Sequence, residues 1–265
     1  MAKSYLSSRS FGVSDLASVI CYPTPSVAEV QARIGELASL GVDSIELTGN
    51  QLIGRARVLG KGCVGIVVSA RMHGKLVAVK VRRTDADRRD MEHEARMLSL
   101  ANSVGVGPRL ISKSQNFIVM ELVKGVGLQK WVEQLPGTSS KRRVRKLVRQ
   151  LLNDCFRLDS VHLDHGELSE APKNVLVAND KPKIVDFESA SDTRRPSNVT
   201  SIAQYLLIGG GPAKRLRAVL AWRRKASLIR ALREYKQNPD WDTFTKVKLA
   251  VDIKATGDLR LSLIH

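Results

Sequence analysis

Apolar positions change their spacing near residue 52, from a helical repeat to short strand-like runs. Before that point Ser26 precedes Glu29 by three residues, the spacing of a capping box. Apolar residues then recur at helical spacing as far as Gly41, at Val27, Val30, Ile34, Leu37 and Leu40. The pattern predicts an amphipathic helix, and residues 1–52 are predicted to form an N-terminal helical extension. We prefer packing of this helix on the following lobe over a separate binding module.

From Ile53 onward, short runs rich in Val and Ile alternate with glycine-containing turns, which predicts a β meander. Residues 84–102 return to helical spacing, and residues 110–111 and 117–122 have the composition of two further strands. A sheet accompanied by one helix is therefore predicted for residues 53–123, which form a β-rich N-lobe.

The remainder of the chain has mainly helical spacing. One apolar stripe runs through Val144, Leu147, Val148, Leu151, Leu152 and Cys155, and two short strands are predicted near residues 175–177 and 183–185. From Ser201 helices dominate again. The predicted fold class is α+β, with the β-rich N-lobe followed by a mainly α-helical C-lobe over residues 124–265.

The composition adds a strong positive charge. Lysine and arginine number 43 against 26 aspartate and glutamate residues, which gives a formal net charge of +17. Such an excess attracts polyanions, so RNA, a ribonucleoprotein or an acidic protein is a candidate partner. Lys141–Arg149 and Lys214–Lys236 concentrate the charge, although a solvated helix face is the usual explanation of such blocks and solubility is the alternative role.

The cysteines and the apolar segments of the sequence indicate the cellular compartment of the protein. Cys21, Cys63 and Cys155 are far apart and form no CxxC pair, so neither a disulfide framework nor a zinc site is predicted. Met1–Arg9 lacks the apolar core of a secretion signal, and no stretch approaches the roughly 18 apolar residues of a membrane span. We therefore expect a cytoplasmic protein without membrane association.

A glycine-rich segment is the first chemical motif. It matches GxGxxGxV, and its candidate nucleotide contacts are Gly60, Lys61, Gly62, Cys63, Gly65 and Val67. Glycines let backbone amides approach phosphate oxygens closely. A dinucleotide-binding fold would require these glycines to open a helix, whereas the flanking β-like runs around His73-Gly74 predict a hairpin.

A lysine and a glutamate follow at suitable positions. Lys80 ends the run Val77–Lys80 on the predicted returning strand, from which it could reach the α and β phosphates of a nucleotide. Glu94 on the next helix is the preferred ion-pair partner because Leu98 follows it at i+4, and Glu92 is the alternative. An ordinary surface lysine is the competing interpretation.

With these motifs the chain resembles the protein-kinase-like superfamily, from about Gly60 to Asp186. The resemblance implies a two-lobed kinase fold with ATP as the cofactor. It adds Ala78 to the nucleotide contacts and identifies residues 117–123 as the strand and hinge that bind adenine. Met120 would then be the gatekeeper, with Glu121 and Val123 supplying backbone groups, while a plain buried strand is the alternative.

Two later motifs complete the resemblance. His165-Gly166-Glu167 followed by Asn174 resembles the catalytic loop, and Asp186-Phe187-Glu188 resembles the metal-binding turn. The resemblance implies catalytic roles for Lys80, Glu167, Asn174 and Asp186, with Asn174 and Asp186 as ligands of Mg²⁺ or Mn²⁺.

The chain departs from the kinase motifs in three respects. Glu167 stands where the superfamily has aspartate, the loop from Glu167 to Asn174 is longer by two residues, and Glu188 replaces the glycine of DFG. HGE, DFE and a truncated C-lobe are most similar to the atypical archaeal, RIO-like predicted serine/threonine kinases. We expect an ATP-dependent phosphotransferase, a serine/threonine protein kinase that autophosphorylates. A nucleotide-binding pseudokinase scaffold and an ATPase switch on a ribonucleoprotein are the alternatives.

Overall fold

The computed structural model describes residues 13–251, so the predicted extension and C-lobe also contain segments, 1–12 and 252–265, that lie outside the described residues. The chain divides into two compact units. The first comprises the chain up to Asn102 together with Pro108–Val123. The second comprises Ser103–Gly107 and everything from Lys124 onward.

The first unit is a mixed unit built on an antiparallel sheet. Its elements are α1 (Val13–Ile20), α2 (Val27–Ser39), β1 (Val42–Glu46), β2 (Gln51–Ile53), β3 (Ala56–Val58), β4 (Gly60–Lys61), β5 (Gly65–Met72), β6 (Lys75–Arg82), α3 (Glu92–Ser103), β7 (Leu110–Lys113) and β8 (Phe117–Glu121). The main sheet has six strands in the order β1-β5-β6-β8-β7, with β4 also paired to β5, while β2 and β3 form a separate hairpin. Ser26 caps α2 as its spacing predicts, by accepting a hydrogen bond from the Glu29 amide.

Strand register gives the main sheet two different faces. Val68 of β5 pairs with Val79 of β6, which in turn pairs with Val119 of β8. Because directly paired residues point to the same side of a sheet, these valines share one face. That face belongs to a buried core with Leu16 of α1 and Leu37 of α2. Helices that the sequence assigns to an extension thus cover one face of the sheet.

The first unit also recruits a strand from residues 1–52. β1 pairs antiparallel with β5, so the sheet begins before the boundary predicted at residue 52. This strand carries little sequence signal, because only Val42 and Ile45 of its five residues are buried. Residues 42–46 of the predicted N-terminal extension are therefore part of the main sheet of the first unit.

A fully buried arginine fastens α2 to the sheet. The Arg33 Nη1 group donates hydrogen bonds to the carbonyl oxygens of Ile20 and Arg82, each at 2.6 Å, and its Nε donates to a Glu29 carboxylate oxygen at 2.7 Å. Arg33 Nη2 donates to the Asn116 side-chain oxygen at 3.1 Å. Four oxygen acceptors therefore bond to this one side chain. These hydrogen bonds make the burial of the guanidinium charge tolerable, because a buried charge is costly unless it is paired and hydrogen-bonded.

We expect Arg33→Met to destabilise the first unit by about 3 kcal/mol, because it leaves buried carbonyl groups without a donor. All three tryptophans lie in the second unit, at Trp131, Trp222 and Trp241. Hydrogen exchange of β5 and β6 amides is therefore the measurement that follows the first unit. Arg71→Met is the control, since its half-exposed ion pair with Glu46 should be worth no more than about 1 kcal/mol. Equal effects of the two variants would contradict the role assigned to Arg33.

The second unit is mainly helical. Its elements are β9 (Val126–Gly127), α4 (Leu128–Glu133), α5 (Lys141–Ser160), α6 (Ala171–Asn174), β10 (Val175–Ala178), β11 (Lys181–Ile184), α7 (Asn198–Leu207), α8 (Ala213–Leu220), α9 (Lys225–Gln237) and α10 (Trp241–Ala250). The strands form a small antiparallel sheet in the order β11-β10-β9. The predicted apolar stripe of α5 is buried throughout. The predicted fold class, a β-rich unit followed by a mainly helical one, is confirmed.

Within residues 13–251, no helix is both long and apolar enough to cross a membrane.

Candidate active site

The glycine-rich segment folds as a β hairpin. Gly60 and Lys61 of β4 pair with Val67 and Ile66 of β5, and the Gly62 amide donates a hydrogen bond to the Gly65 carbonyl oxygen at 2.8 Å. The glycines therefore close a turn between strands rather than open a helix. Lys61, Gly62 and Cys63 are all exposed in this turn.

Gly65 is required by the close approach of a lysine. A Cβ atom at this position would lie 2.9 Å from Cε of Lys80 and 3.1 Å from the Val81 carbonyl oxygen. Contacts at this distance force a neighbour to move, and a backbone carbonyl inside a sheet has little room to do so. The glycine and the lysine, 15 positions apart in sequence, therefore constrain each other.

Lys80 and Glu94 form a buried ion pair. The Lys80 ammonium nitrogen lies 2.8 Å from a Glu94 carboxylate oxygen, and the two residues are only 4% and 5% exposed. Glu92, the alternative partner, instead forms a surface ion pair with Lys113. Because two charges are costly to bury, such a pair is a candidate functional group rather than a source of stability.

The predicted nucleotide contacts of the sheet share the face that carries Lys80. Val67 of β5 pairs directly with Lys80 of β6. Ala78, which precedes Lys80 by two residues in β6, pairs directly with Met120 of β8. Their side chains therefore lie on the side of the sheet opposite the core beneath α1 and α2. Glu121 ends β8, where its amide donates a hydrogen bond to the Arg109 carbonyl oxygen at 2.9 Å. Val123 is the last residue of the first unit. Nucleotide binding by these residues stays a prediction.

An aromatic residue that the sequence analysis missed supports the glycine turn. The Tyr22 ring contacts the Lys61 ammonium group, 4.5 Å from the ring centroid, and the Arg83 guanidinium group, at 5.0 Å. Arg83 in turn donates from its side chain to the Gly62 carbonyl oxygen at 3.1 Å and from its amide to Val64 at 2.8 Å. No sequence pattern marks Tyr22, because cation–π contacts depend on tertiary structure alone.

Tyr22→Ala is expected to weaken ATP binding by roughly 3-fold to 10-fold, since it removes two cation–π contacts that hold the glycine turn. Tyr22→Phe keeps the ring and should bind ATP as the wild type does. Dissociation constants measured by calorimetry test this expectation. If Tyr22→Ala retained wild-type affinity, the glycine turn would not depend on this ring.

In the second unit, Glu167 and Asn174 contact each other directly. The Asn174 amide nitrogen donates to a Glu167 carboxylate oxygen at 3.1 Å, and the Ser189 hydroxyl donates to the other carboxylate oxygen at 2.5 Å. Between Glu167 and Asn174 the chain forms a 3₁₀ turn followed by α6, and these turns accommodate the two additional residues of this loop. Glu167 is exposed, whereas Asn174 is only 2% exposed.

Asp186 follows the end of the β10–β11 hairpin. The Val185 amide donates to the Asn174 carbonyl oxygen at 2.9 Å, which fixes the backbone of the predicted metal-binding turn against that of Asn174. Asp186 has a φ of +66°, an unfavourable conformation for a residue with a side chain. An amide oxygen and a carboxylate are hard ligands that suit Mg²⁺ or Mn²⁺, so the chemistry of Asn174 and Asp186 fits a divalent metal.

Asp164 holds the chain around Ser197. Its carboxylate accepts hydrogen bonds from the Ser197 amide at 2.9 Å and hydroxyl at 3.2 Å, and it forms an ion pair with Arg194. Gly166 makes room for this arginine, because a Cβ atom there would lie 2.5 Å from an Arg194 side-chain nitrogen. Asp164 is 4% exposed and is thus engaged in structure.

A buried network supports the loop that carries Glu167. The His165 amide donates to the Asn198 side-chain oxygen at 2.9 Å, and the Asn198 amide nitrogen donates to Asp159 at 2.7 Å. Tyr235 donates its hydroxyl to the same Asp159 carboxylate at 2.8 Å. Burial raises the pKa of Asp159 to about 6 despite these donors.

Burial favours the neutral form of His165 in this network. Its side chain is fully buried, and this desolvation lowers the pKa of the imidazole. Nε2 lies 3.0 Å from the Val185 carbonyl oxygen, so in the neutral ring Nε2 carries the proton and donates it. The histidine therefore links the Glu167 loop to the residue before Asp186.

Tyr235→Phe is expected to cost about 2 kcal/mol of unfolding free energy near pH 7.5 and about half as much near pH 5. The pKa of Asp159 is raised in the folded state, so its carboxylate is charged above about pH 6 and there destabilises the fold most. Loss of the Tyr235 donor penalises that charged form. Urea unfolding followed by tryptophan fluorescence measures the effect.

The control for this variant is Tyr205→Phe. The Tyr205 hydroxyl is buried without a hydrogen-bond partner among the described residues, so its removal should be neutral or slightly stabilising at both pH values. A pH-independent cost of Tyr235→Phe would contradict the charged state assigned to Asp159.

Comparison with known sequences identifies the family. The RIO domain matches residues 69–204, which is more than half of the chain. The chain belongs to the RIO domain family. This family is part of the protein-kinase-like superfamily, so the chain is an atypical kinase-like, ATP-binding phosphotransferase, and the domain implies use of a divalent metal.

The RIO match extends over most of the described site. It includes Lys80, Glu94, Glu167, Asn174 and Asp186, whereas the glycine turn and Tyr22 precede it. An uncharacterized protein of Methanocaldococcus jannaschii is 30% identical over 98 residues, which cover 37% of this chain and 80% of that protein.

Proposed function

We propose that this RIO-domain chain is a serine/threonine protein kinase that transfers the γ-phosphoryl group of ATP to a protein hydroxyl, including one of its own. The observation that carries the proposal is the environment of Glu167. Its exposed carboxylate is bonded to the predicted metal ligand Asn174 and to a serine hydroxyl, while the nearby Asp164 is buried in structural contacts.

The bond between Ser189 and Glu167 supports the choice of acceptor. The Ser189 hydroxyl donates to Glu167 in the way that a substrate serine or threonine would have to do. In the transfer, the acceptor O–H bond breaks and its proton passes to the Glu167 carboxylate. The acceptor oxygen forms a bond to the γ phosphorus as the bond between that phosphorus and the leaving ADP oxygen breaks.

The other site residues would bind and orient the nucleotide. Lys80, held by Glu94, would contact the α and β phosphates, and the amides of the glycine turn would approach the phosphate oxygens. Asn174 and Asp186 would hold Mg²⁺ or Mn²⁺. Such an ion, when bound, neutralises phosphate charge.

Cysteine chemistry supports a cytoplasmic location in this proposal. Cys21 and Cys155 are buried free thiols, and Cys63 is an exposed free thiol in the glycine turn. Exposed free thiols suit a reducing compartment.

An assay with γ-labelled ATP distinguishes this proposal from the two alternatives. Transfer of label to protein supports the kinase, and release of free phosphate alone identifies the ATPase switch. Nucleotide binding without turnover identifies the pseudokinase. The assay is run with the purified chain and again with added cell extract, which supplies protein acceptors in trans.

Glu167→Gln is expected to lower turnover by roughly 10²-fold to 10⁴-fold while ATP affinity stays near the wild-type value, because only proton acceptance is lost. Asp164→Asn should lower stability but reduce turnover much less. Lys80→Ala should abolish transfer in a folded protein, as judged by circular dichroism. If Asp164→Asn lowered turnover more than Glu167→Gln did, with both variants fully folded, the role assigned to Glu167 would be wrong.

A further inference from the structure

Ser189 places a hydroxyl group against the proposed proton acceptor of the transfer reaction. The hydroxyl donates a hydrogen bond to one Glu167 carboxylate oxygen at 2.5 Å, and the Asn174 amide nitrogen donates to the other at 3.1 Å. All three residues belong to the second unit. A hydroxyl of this chain therefore already has the contact that general-base catalysis requires of an acceptor.

The backbone around Ser189 is tied to its surroundings. Phe187 and Ala190 are buried, at 1% and 2% exposure, and the Ala190 amide donates to the Phe187 carbonyl oxygen at 3.2 Å. Ser191 and Asp164 exchange two backbone hydrogen bonds, at 2.8 and 2.9 Å. The Ser189 side chain is therefore presented to Glu167 from a fixed turn, and only rotation of the side chain would break the contact.

This packing favours transfer within one molecule over transfer between two. A second kinase molecule would have to draw the chain around Ser189 into its own site. That step would withdraw Phe187 from its buried position and break the bridge between Asp164 and Ser191. Glu167 of the same chain needs no such rearrangement, and groups already in contact react faster because their relative freedom of motion has been given up.

Other hydroxyl groups of this region lack the contact with Glu167. Ser169 follows Glu167 by two residues and is exposed, and in the described part of the chain its hydroxyl makes no hydrogen bond to that carboxylate. The Ser191 hydroxyl accepts hydrogen bonds from the Thr193 and Arg194 amides at 3.3 and 3.1 Å, so it stabilises the turn. The geometry thus selects Ser189 among its neighbours.

A guanidinium group lies beside Ser189 and suits a phosphorylated side chain. Arg194 Nη2 donates to the Ser189 carbonyl oxygen at 2.9 Å, and the arginine side chain is 49% exposed. A phosphoserine carries roughly −1.5 to −2 charges near pH 7, and arginine is a common ligand of such a group. Because the Glu167 carboxylate repels this charge, the modified side chain is expected to turn away from Glu167 and toward Arg194.

We propose that Ser189 is an intramolecular phosphorylation site, at which each chain modifies itself once. The inference rests on the proposed function, because it requires phosphoryl transfer at the site that contains Glu167. The Ser189 O–H bond breaks and its proton passes to the Glu167 carboxylate. The Ser189 oxygen bonds to the γ phosphorus of ATP as the bond from that phosphorus to the leaving ADP oxygen breaks. The modified residue has no hydroxyl left, so the reaction at this site limits itself.

The first test maps the label on the purified full chain after incubation with γ-labelled ATP and Mg²⁺. Tandem mass spectrometry of its peptides should locate most of the phosphate on Ser189. The first-order rate constant should stay the same over an about 100-fold range of chain concentration, as intramolecular transfer requires. A rate constant that rises in proportion to chain concentration would overturn the proposal.

The outcomes of this mapping separate the inference from the function on which it rests. If the chain or proteins of an added cell extract are labelled while Ser189 stays unmodified, the inference is overturned and the kinase proposal stands. If neither the chain nor the extract is labelled, both are overturned.

Ser189→Ala tests the residue, with Ser169→Ala as the matched control. Ser189→Ala should lower self-labelling by at least roughly 10-fold, because the contacting hydroxyl is lost. Ser169→Ala removes an exposed hydroxyl of the same loop and should label itself as the wild type does. Ser189→Thr keeps a hydroxyl and should still be labelled at residue 189. Self-labelling of Ser189→Ala at the wild-type rate would overturn the proposal.

A positioning role for Ser189 predicts a different result. If the serine only oriented Glu167, Ser189→Ala would lower the labelling of cell extract by the same factor as self-labelling. We expect extract labelling to persist in Ser189→Ala, since Glu167 is retained, and calorimetry should show wild-type ATP affinity. Equal losses in the two reactions would overturn the proposal.

A mixing experiment tests whether the transfer is intramolecular. A Lys80→Ala chain, distinguished by isotopic mass, is incubated with the active wild-type chain and γ-labelled ATP. We expect Ser189 of the wild-type chain to be labelled and Ser189 of the Lys80→Ala chain to stay unmodified. Labelling of both chains at equal rates would show transfer between molecules and overturn the proposal.

Discussion

The antiparallel register of β5, β6 and β8 is the constraint on which the first unit depends. With a side-chain period of two, the run Val77–Arg82 must send Val79 and Val81 to one face and Ala78 and Lys80 to the other. A slip by one residue would bury the Lys80 ammonium beneath α1 and α2 and expose the valines. The apolar core therefore fixes the position of the lysine, and Gly65 leaves the room that its side chain needs.

In the second unit, hydrogen bonds rather than strand register hold the loop that carries Glu167 in position. Asn198, at the start of α7, bonds to the His165 amide on one side and to Asp159 of α5 on the other. Buried polar groups are costly unless they are all hydrogen-bonded, so the backbone of this loop needs partners in neighbouring elements. Fastening the His165 backbone to two helices gives the Glu167 loop a rigid base, which catalysis by positioning requires.

The sequence predicts the local elements of this fold well, since they arise from short-range patterns. The Ser26 cap of α2, the buried stripe of α5 and the hairpin of the glycine turn each follow from spacing within a few residues. Strand β1 was hidden because five residues with few apolar positions carry little signal. Its pairing with β5 is set by tertiary contacts, which no local pattern encodes.

The candidate site was predictable to a similar extent. Lys80, Glu167 and Asp186 lie within motifs whose chemistry can be inferred from residue type and spacing. Tyr22, Arg33 and Asn198 carry no motif, because their roles depend on partners that are distant in sequence. Arg33 bonds to Asn116, 83 positions away, and Asn198 accepts from the His165 amide, 33 positions away. Tyr22 contacts Lys61 across the face of its ring. Such partners are brought together by folding, so only the structure reveals them.

The departures of the catalytic loop from the kinase pattern are physically coupled. Gly166 has a φ of +87° and leaves space for the Arg194 side chain, which donates to the Ser189 carbonyl oxygen at 2.9 Å. Ser189 then donates its hydroxyl to Glu167, and the additional residues before Asn174 are coiled into α6. A side chain at position 166 would displace Arg194 and, through it, the serine that contacts Glu167. Gly166 and Glu167 are therefore linked through consecutive contacts of Arg194 and Ser189, so the glycine is part of what positions the glutamate.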